Sequence, residues 1–335
     1  MTPRALFSLL FHADKAMDLV QTALDLGVLD RLDAGPVDLR SLCAQTGARP
    51  LRMYKFLDGL ESLGLIERTQ RTDTLEDATY VSRGPLVPAA RAVLAADSIE
   101  RDRNRYPWRD IHGRLGDVLR GDVSAPFAWP PETREETAAF EASMAAGCGP
   151  AVEAFERHMG EIFPAGRPLR WLDVGGGDGM LAASVLGTVG HVTADVYNLA
   201  DVEPLFRRRA EEAHLANRMG FVAGDFLEQE LPRGYDVMSF VRVLHDWPAD
   251  VARGLLRKAR AALDPGALLV VCEEFRDAER LAVQFFWTYF LTGVDACVSR
   301  LREAAWYQAV LRETGFEEPR VLPGAFEIVV ARRSS

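Results

Sequence analysis

The sequence predicts an α/β fold in which a parallel sheet with helical crossovers follows a mostly helical unit of winged-helix pattern. Three observations point there. After Pro168, short apolar strands and helices alternate about every 25 residues, the rhythm of a crossover-connected sheet. Before residue 90 the order is helix, helix, hairpin. The 335-residue chain also has room for two domains and a bridging segment, at roughly 100–200 residues per domain. The expected division is 1–90 for the winged-helix unit, 91–160 for a helical linker that walls a pocket, and 161–335 for the sheet domain.

From Ala5 to about Asp30, residues Leu10, Ala16, Leu19, Val20, Ala23, Leu24 and Leu26 fall at helical spacing, which predicts one helix turning at Gly27 to Leu29. A short helix then ends at Thr46-Gly47. The next carries Leu51, Tyr54, Leu57, Leu60 and Leu63 on one side and stops at Gly64. Leu65-Ile66-Glu67 and Ala78–Ser82 read as strands around a charged loop. Residues 85–160 read as helices interrupted by prolines, with Phe140 and Met144 four apart on one face. Thereafter LRWLDV, HVTADVYNL, MGFVAGDF, YDVMSFVRVL, ALLVVCEEF and AFEIVVAR read as strands, with helices at MLAASVLGTV, DVEPLFRRRAEEAHL and Ala249–Leu263.

Lys plus Arg number 39 against 49 Asp plus Glu, a net charge of −10, so nothing electrostatic recruits nucleic acid or an anionic membrane. The candidate reading helix mixes Arg49, Arg52 and Lys55 with Asp58 and Glu61, which favours a structural or dimerising use over DNA binding. No stretch approaches 18 apolar residues without charge, so no spanning helix is expected. Cys43, Cys148, Cys272 and Cys297 form no CxxC pair, which suits a reducing cytoplasm and no thiolate metal site.

Asp173-Val174-Gly175-Gly176-Gly177-Asp178-Gly179 occupies the turn from the first strand of the sheet into its helix, where glycines let backbone amides approach a ligand. A dinucleotide fingerprint read from Gly175 would need glycine where Met180 stands; read from Gly177 it meets Ala182, which that motif tolerates. The carboxylates of Asp173 and Asp178 would repel a pyrophosphate. They suit a cationic, amino-acid-like ligand such as S-adenosylmethionine.

LDVGGGDG, AGDF at Ala223–Phe226, RVLHDW at Arg242–Trp247 and the Glu273-Glu274 strand end together resemble the S-adenosylmethionine-dependent small-molecule O-methyltransferases of the plant caffeate and bacterial antibiotic-pathway type. GVLDRLDAGPVDLRSLCAQTGARP through LESLGLIE is similar to that family's dimerisation domain, so the likeness covers nearly the whole chain. It implies a homodimer joined through the N-terminal domain and a class I Rossmann-like methyltransferase sheet of seven strands with the last reversed. The implied reaction moves the methyl group of S-adenosylmethionine to a hydroxyl of a small aromatic compound, phenolic or aromatic amino-acid-like, in secondary metabolism, leaving S-adenosylhomocysteine. Transfer to carbon or nitrogen, and a structural use of the cofactor, stand as alternatives.

The resemblance also implies site residues. Gly175 and Gly177 line the methionine part of the cofactor with Asp173 supporting the turn; Asp225 bonds the adenine amine and Phe226 covers its ring. The family's ribose-holding acid falls on Asn198, with Asp195 three residues earlier as the alternative. Arg242 lies near the cofactor's carboxylate or serves domain packing. His245, at the end of the fourth strand, is the general base, Asp246 fixes the loop or contacts cofactor, and Glu273 orients the imidazole. The family's second supporting glutamate falls at Leu301, with Glu303 nearby. The acceptor pocket draws on Phe140, Met144, Trp287, Tyr289, Phe290 and Asp295. No metal is expected: His245 and Asp246 would need a further imidazole, and none of His12, His112, His158, His191 or His214 lies in the LTGVDACVSR stretch.

Overall fold

The computed structural model describes residues 2–70, 77–94, 113–123, 131–277, 300–324 and 326–334, and the chain divides into two compact units, 1–105 and 106–335. In the first unit, α1 (Pro3–Phe11) and α2 (Ala13–Asp25) are separated at His12, and left-handed Gly27 turns α2 directly into α3 (Val28–Asp33). The one helix expected up to the turn at Gly27 is therefore two, because apolar spacing does not register a one-residue break, and a third helix forms from Val28, where the turn was expected to continue. After β1 (Val37–Asp38), Asp38 caps α4 (Leu39–Thr46) by accepting from the Ser41 N–H at 2.8 Å. Left-handed Gly47 ends that helix and Pro50 opens α5 (Pro50–Ser62).

The buried stripe of α5 is Met53, Leu57 and Leu60. Leu51 is 55% exposed, contrary to its expected inner place, because it lies off that four-then-three spacing. β2 (Ile66–Gln70) pairs antiparallel with β3 (Thr79–Ser82), β1 takes the other edge of β3, and α6 (Leu86–Leu94) follows. Leu29, Leu32, Leu39, Leu42 and Tyr80 join the α5 stripe in one core.

The second unit begins with α7 (Leu115–Arg120), α8 (Arg134–Ala146), α9 (Gly149–Arg157) and α10 (Met159–Ile162). A capping box between Thr133 and Glu136 starts α8. Its buried positions are polar, Thr137 and Glu141, while Phe140 and Met144 are half-buried.

The sheet then builds from β4 (Leu169–Val174), β5 (Val192–Asn198), β6 (Met219–Ala223), β7 (Val237–Val241), β8 (Leu268–Cys272), β9 (Phe316–Leu322) and β10 (Ile328–Arg333). Helices α11 (Met180–Thr188), α12 (Glu203–Glu212), α13 (Ala249–Ala262) and α14 (Ala304–Glu313) lie between strands in sequence. The order is β6-β5-β4-β7-β8-β10-β9, with β10 antiparallel to both neighbours, which is the seven-stranded, reversed-strand architecture expected. Apolar layers cover both faces: Trp171, Leu186, Val196 and Val270 belong to one, Leu172, Phe240, Leu256 and Val271 to the other. The chain runs outward from β4 through β5 to β6, then returns to β7 on the other side of β4. Such a reversal opens a crevice at the carboxyl ends of the strands. No helix among the described residues is long and apolar enough to cross a membrane.

Candidate active site

β4 carries Asp173 and the glycine turn to that crevice. Gly175, Gly177 and Gly179 take φ values of 73°, 58° and 83°, a region that costs an L side chain about 1–2 kcal/mol. The space is also closed to side chains. A Cβ on Gly175 would lie 2.7 Å from Val243 Cγ2, on Gly176 2.5 Å from Asp173 Oδ2, and on Gly177 2.5 Å from Glu141 Oε2. Asp173 is buried, and its Oδ1 accepts from the Ser239 hydroxyl at 2.5 Å, whose oxygen accepts from Trp171 Nε1–H at 2.7 Å. Its Oδ2 has no partner. Burial pushes the Asp173 carboxyl up to about 7 against the pull of the Ser239 bond. Asp178 differs: Arg209 Nη2 neutralises it at 2.5 Å.

Asn198 ends β5 at the crevice, its Oδ1 accepting from the Leu199 N–H at 2.8 Å. Asp195 lies lower in the strand, where it accepts from the Tyr235 hydroxyl at 2.7 Å and from Arg170 at 3.2 Å. Of the two ribose candidates, Asn198 thus stands at the crevice and Asp195 is committed below it. Asp225 follows β6 and accepts from the Leu227 N–H at 2.8 Å. Lys258 of α13 pins the same loop, donating to the carbonyls of Phe226 and Leu227 at 2.9 Å and of Gln229 at 2.8 Å. Nothing in the sequence marks this lysine, because its partners are all backbone. The Phe226 ring stands edge-on to Trp247 at 5.9 Å and 3.7 Å from the Gly175 Cβ position, so Gly175, Phe226 and Val243 border one space.

β7 stops at Val241, short of the expected strand YDVMSFVRVL, because Arg242 turns left-handed at φ 57°. Leu244–Asp246 then form one helical turn that carries buried His245. Glu273, just past β8, holds this turn from beneath: Oε1 accepts from the N–H groups of Val243 at 3.2 Å and Leu244 at 2.8 Å, and Oε2 meets His245 Nδ1. Asp246 Oδ1 lies 3.2 Å from His245 Nε2. Burial disfavours the imidazolium, but the charges of Asp246 and Glu273 outweigh it and hold His245 well above its ordinary range.

Buried Arg302 donates to the carbonyls of Leu244 at 3.0 Å and of Trp247, and the Arg300 N–H donates to the His245 carbonyl at 3.0 Å, so both ends of the turn are clamped. Leu301 brings no carboxylate there, and Glu303 pairs with Arg276 at 3.2 Å; the second acid beside His245 is Asp246. Arg242 donates to the carbonyls of Gly147 at 3.0 Å and Met144 at 3.4 Å, joining α8 to the sheet. Trp287, Tyr289, Phe290 and Asp295 lie outside the described residues.

An unpartnered buried acid, a cradle that admits no Cβ and an aromatic ring at its border fit a ligand with a cationic amino-acid end and a flat heterocycle. That describes S-adenosylmethionine. The comparisons agree. Residues 96–317 match an O-methyltransferase domain family. Demethylspheroidene O-methyltransferase of Cereibacter sphaeroides is 28% identical over 318 residues, covering 90% of this chain and 78% of that protein. Bacteriochlorophyllide d C-20 methyltransferase of Chlorobaculum tepidum is 24% identical, covering 89% and 87%. Among solved structures, the S-adenosylmethionine-dependent methyltransferase SibL superposes with a TM-score of 0.70 at 22% identity over 98% of this chain and 99% of that one.

Proposed function

This chain belongs to the O-methyltransferase domain family and is an S-adenosylmethionine-dependent methyltransferase, and from that premise we propose that it methylates a hydroxyl of a small aromatic compound with His245 as general base. The observation that carries this reading is the buried His245–Glu273 pair, two residues from Val243, which borders Gly175. S-adenosylmethionine, when bound, supplies an electrophilic methyl group on a sulfonium. Glu273 accepts from His245 Nδ1–H and so fixes the tautomer whose Nε2 takes the acceptor's proton as its oxygen attacks. The same buried carboxylate steadies the imidazolium that results. Phe140 and Met144 of α8 line the acceptor side, and Asn198 holds the ribose as both donor and acceptor.

One relative is named for transfer to oxygen and another for transfer to carbon, so the acceptor atom is what the experiment must resolve. Isothermal titration with S-adenosylmethionine, S-adenosylhomocysteine and NAD, followed by mass spectrometry of products from phenols, amines and activated ring carbons, tests the reading. Binding of the first two ligands and formation of a methyl ether are expected. Product methylated only on carbon or nitrogen overturns the hydroxyl assignment.

We further infer a homodimer formed through the first unit. Helix α1 exposes Leu6, Phe7, Leu10 and Phe11, the last 82% exposed, an apolar surface that favours association. Sedimentation should give a dimer for the native chain and a monomer for Phe7→Asp with Phe11→Asp; a monomeric native chain contradicts the inference.

A further inference from the structure

Glu141 sits in the middle of α8, buried, on the face it shares with Thr137. Its Oε2 occupies the place where a side chain on Gly177 would begin, 2.5 Å from that Cβ position. No Lys, Arg or His among the described residues pairs with it; the neighbouring Arg209 belongs to Asp178 at 2.5 Å. A buried carboxylate without a counter-charge is costly and calls for an explanation. On the next glycine the same arrangement recurs: Asp173 Oδ2, buried and unpartnered, lies 2.5 Å from the Cβ position of Gly176. Two acids thus bracket adjacent glycines of the cofactor turn, and neither has a cation among the described residues.

We propose that Glu141 is a cofactor-binding residue that, together with Asp173, receives the α-ammonium group of S-adenosylmethionine. The proposal deepens the methyltransferase reading and rests on it. The charge balance explains why α8 leaves Ala139, Ala142 and Ala146 exposed yet turns a glutamate inward: the cation that completes the site arrives with the ligand. Burial first, and the charge of Asp178 second, push the Glu141 carboxyl up to about 7 in the ligand-free protein. An arriving ammonium favours the ionised form, so binding near neutral pH expels a proton from this acid.

The test compares two ligands on the full chain. S-adenosylhomocysteine carries the ammonium, whereas 5′-methylthioadenosine presents the same nucleoside without it. Titration calorimetry in buffers of different ionisation enthalpy gives affinity and proton release together. Glu141→Gln should weaken S-adenosylhomocysteine by about ten- to hundredfold at pH 8, as expected for losing a charge-assisted hydrogen bond. It should leave methylthioadenosine unchanged and reduce the protons released near pH 7. Near pH 5.5, where the native side chain is already neutral, the difference between the proteins should shrink. Glu141→Asp, which keeps the charge, should recover part of the affinity and serves as the second variant if the amide perturbs folding.

An S-adenosylhomocysteine affinity within twofold of native at pH 8 overturns the proposal. Equal weakening of both ligands does so too, because it reports a distorted turn rather than a lost ion pair. Native protein that binds neither S-adenosylmethionine nor S-adenosylhomocysteine would instead sink the underlying methyltransferase reading.

Discussion

Asp246→Asn should make the enzyme faster in mild acid, although it removes an acid from the active site. His245 Nε2 lies 3.2 Å from Asp246 Oδ1, and Glu273 holds Nδ1. At that separation two unit charges attract by about 1.3 kcal/mol in a water-like dielectric and about 5 kcal/mol at an effective dielectric near 20. The Asp246 side chain is 44% exposed, so screening keeps the pair near the lower end, about 1–2.5 kcal/mol or roughly one to two pH units. A base must be neutral to act. Removing Asp246 lowers the pH at which the imidazole sheds its proton, so the acid limb of the kcat/KM profile should move down by that amount. The high-pH plateau should fall, because a weaker base accepts the acceptor's proton less readily. With about half of the basicity change expressed in the transition state, the net gain below the limb is about three- to tenfold. Imidazole nitrogen shifts in the NMR spectrum of His245, followed from pH 5 to 10, report the same displacement without an acceptor. A native His245 titrating near 6.5, or a limb that stays put in the variant, refutes the electrostatic account.

Further outcomes follow from the same geometry. His245→Ala should keep cofactor affinity in calorimetry but lower turnover on a phenol by about 10²–10⁴-fold, with partial recovery at high pH as the phenolate forms by itself; native turnover removes His245 as the base. Gly175→Ala places a methyl group at φ 73° and 2.7 Å from Val243 Cγ2. It should lose about 2 kcal/mol or more in urea unfolding, and Val243→Ala should restore part of that; no rescue would mean the contact does not set the cost. Asp173 and Glu141 both carry carboxyls raised to about 7. Raised acids stabilise the fold in their protonated form, fully below their unfolded values of 3.8 and 4.5, and this is lost as pH climbs through 7. The ligand-free protein should therefore melt lower at pH 8 than at pH 5, and Glu141→Gln should flatten the fall, by on the order of 3 kcal/mol at most; an unchanged pH dependence in that variant contradicts the burial of an ionised Glu141.

What the sequence revealed of this site was whatever is written locally. An apolar run ending in glycines marks a strand delivering a turn, so the cradle was legible from the residues themselves, whereas the pairing of His245 with Glu273 was legible only through the family resemblance. Backbone breaks were less legible. The separation at His12 and the left-handed Arg242 each alter one residue's dihedral angles without disturbing the apolar period around them. The long polar side chains that brace the site were not legible at all. Lys258 reaches carbonyls up to 32 residues away and Arg302 reaches Leu244 across 58, and a carbonyl acceptor imposes no residue type that a reader could search for. Glu141 is the extreme case. In REETAAFEASMAA it looks like one more solvated acid on a capped helix, and no cation among the described residues supplies its missing charge. A buried acid whose counter-ion belongs to a ligand leaves no pairing pattern in the sequence, which is why it emerges only when burial and the glycine turn are considered together.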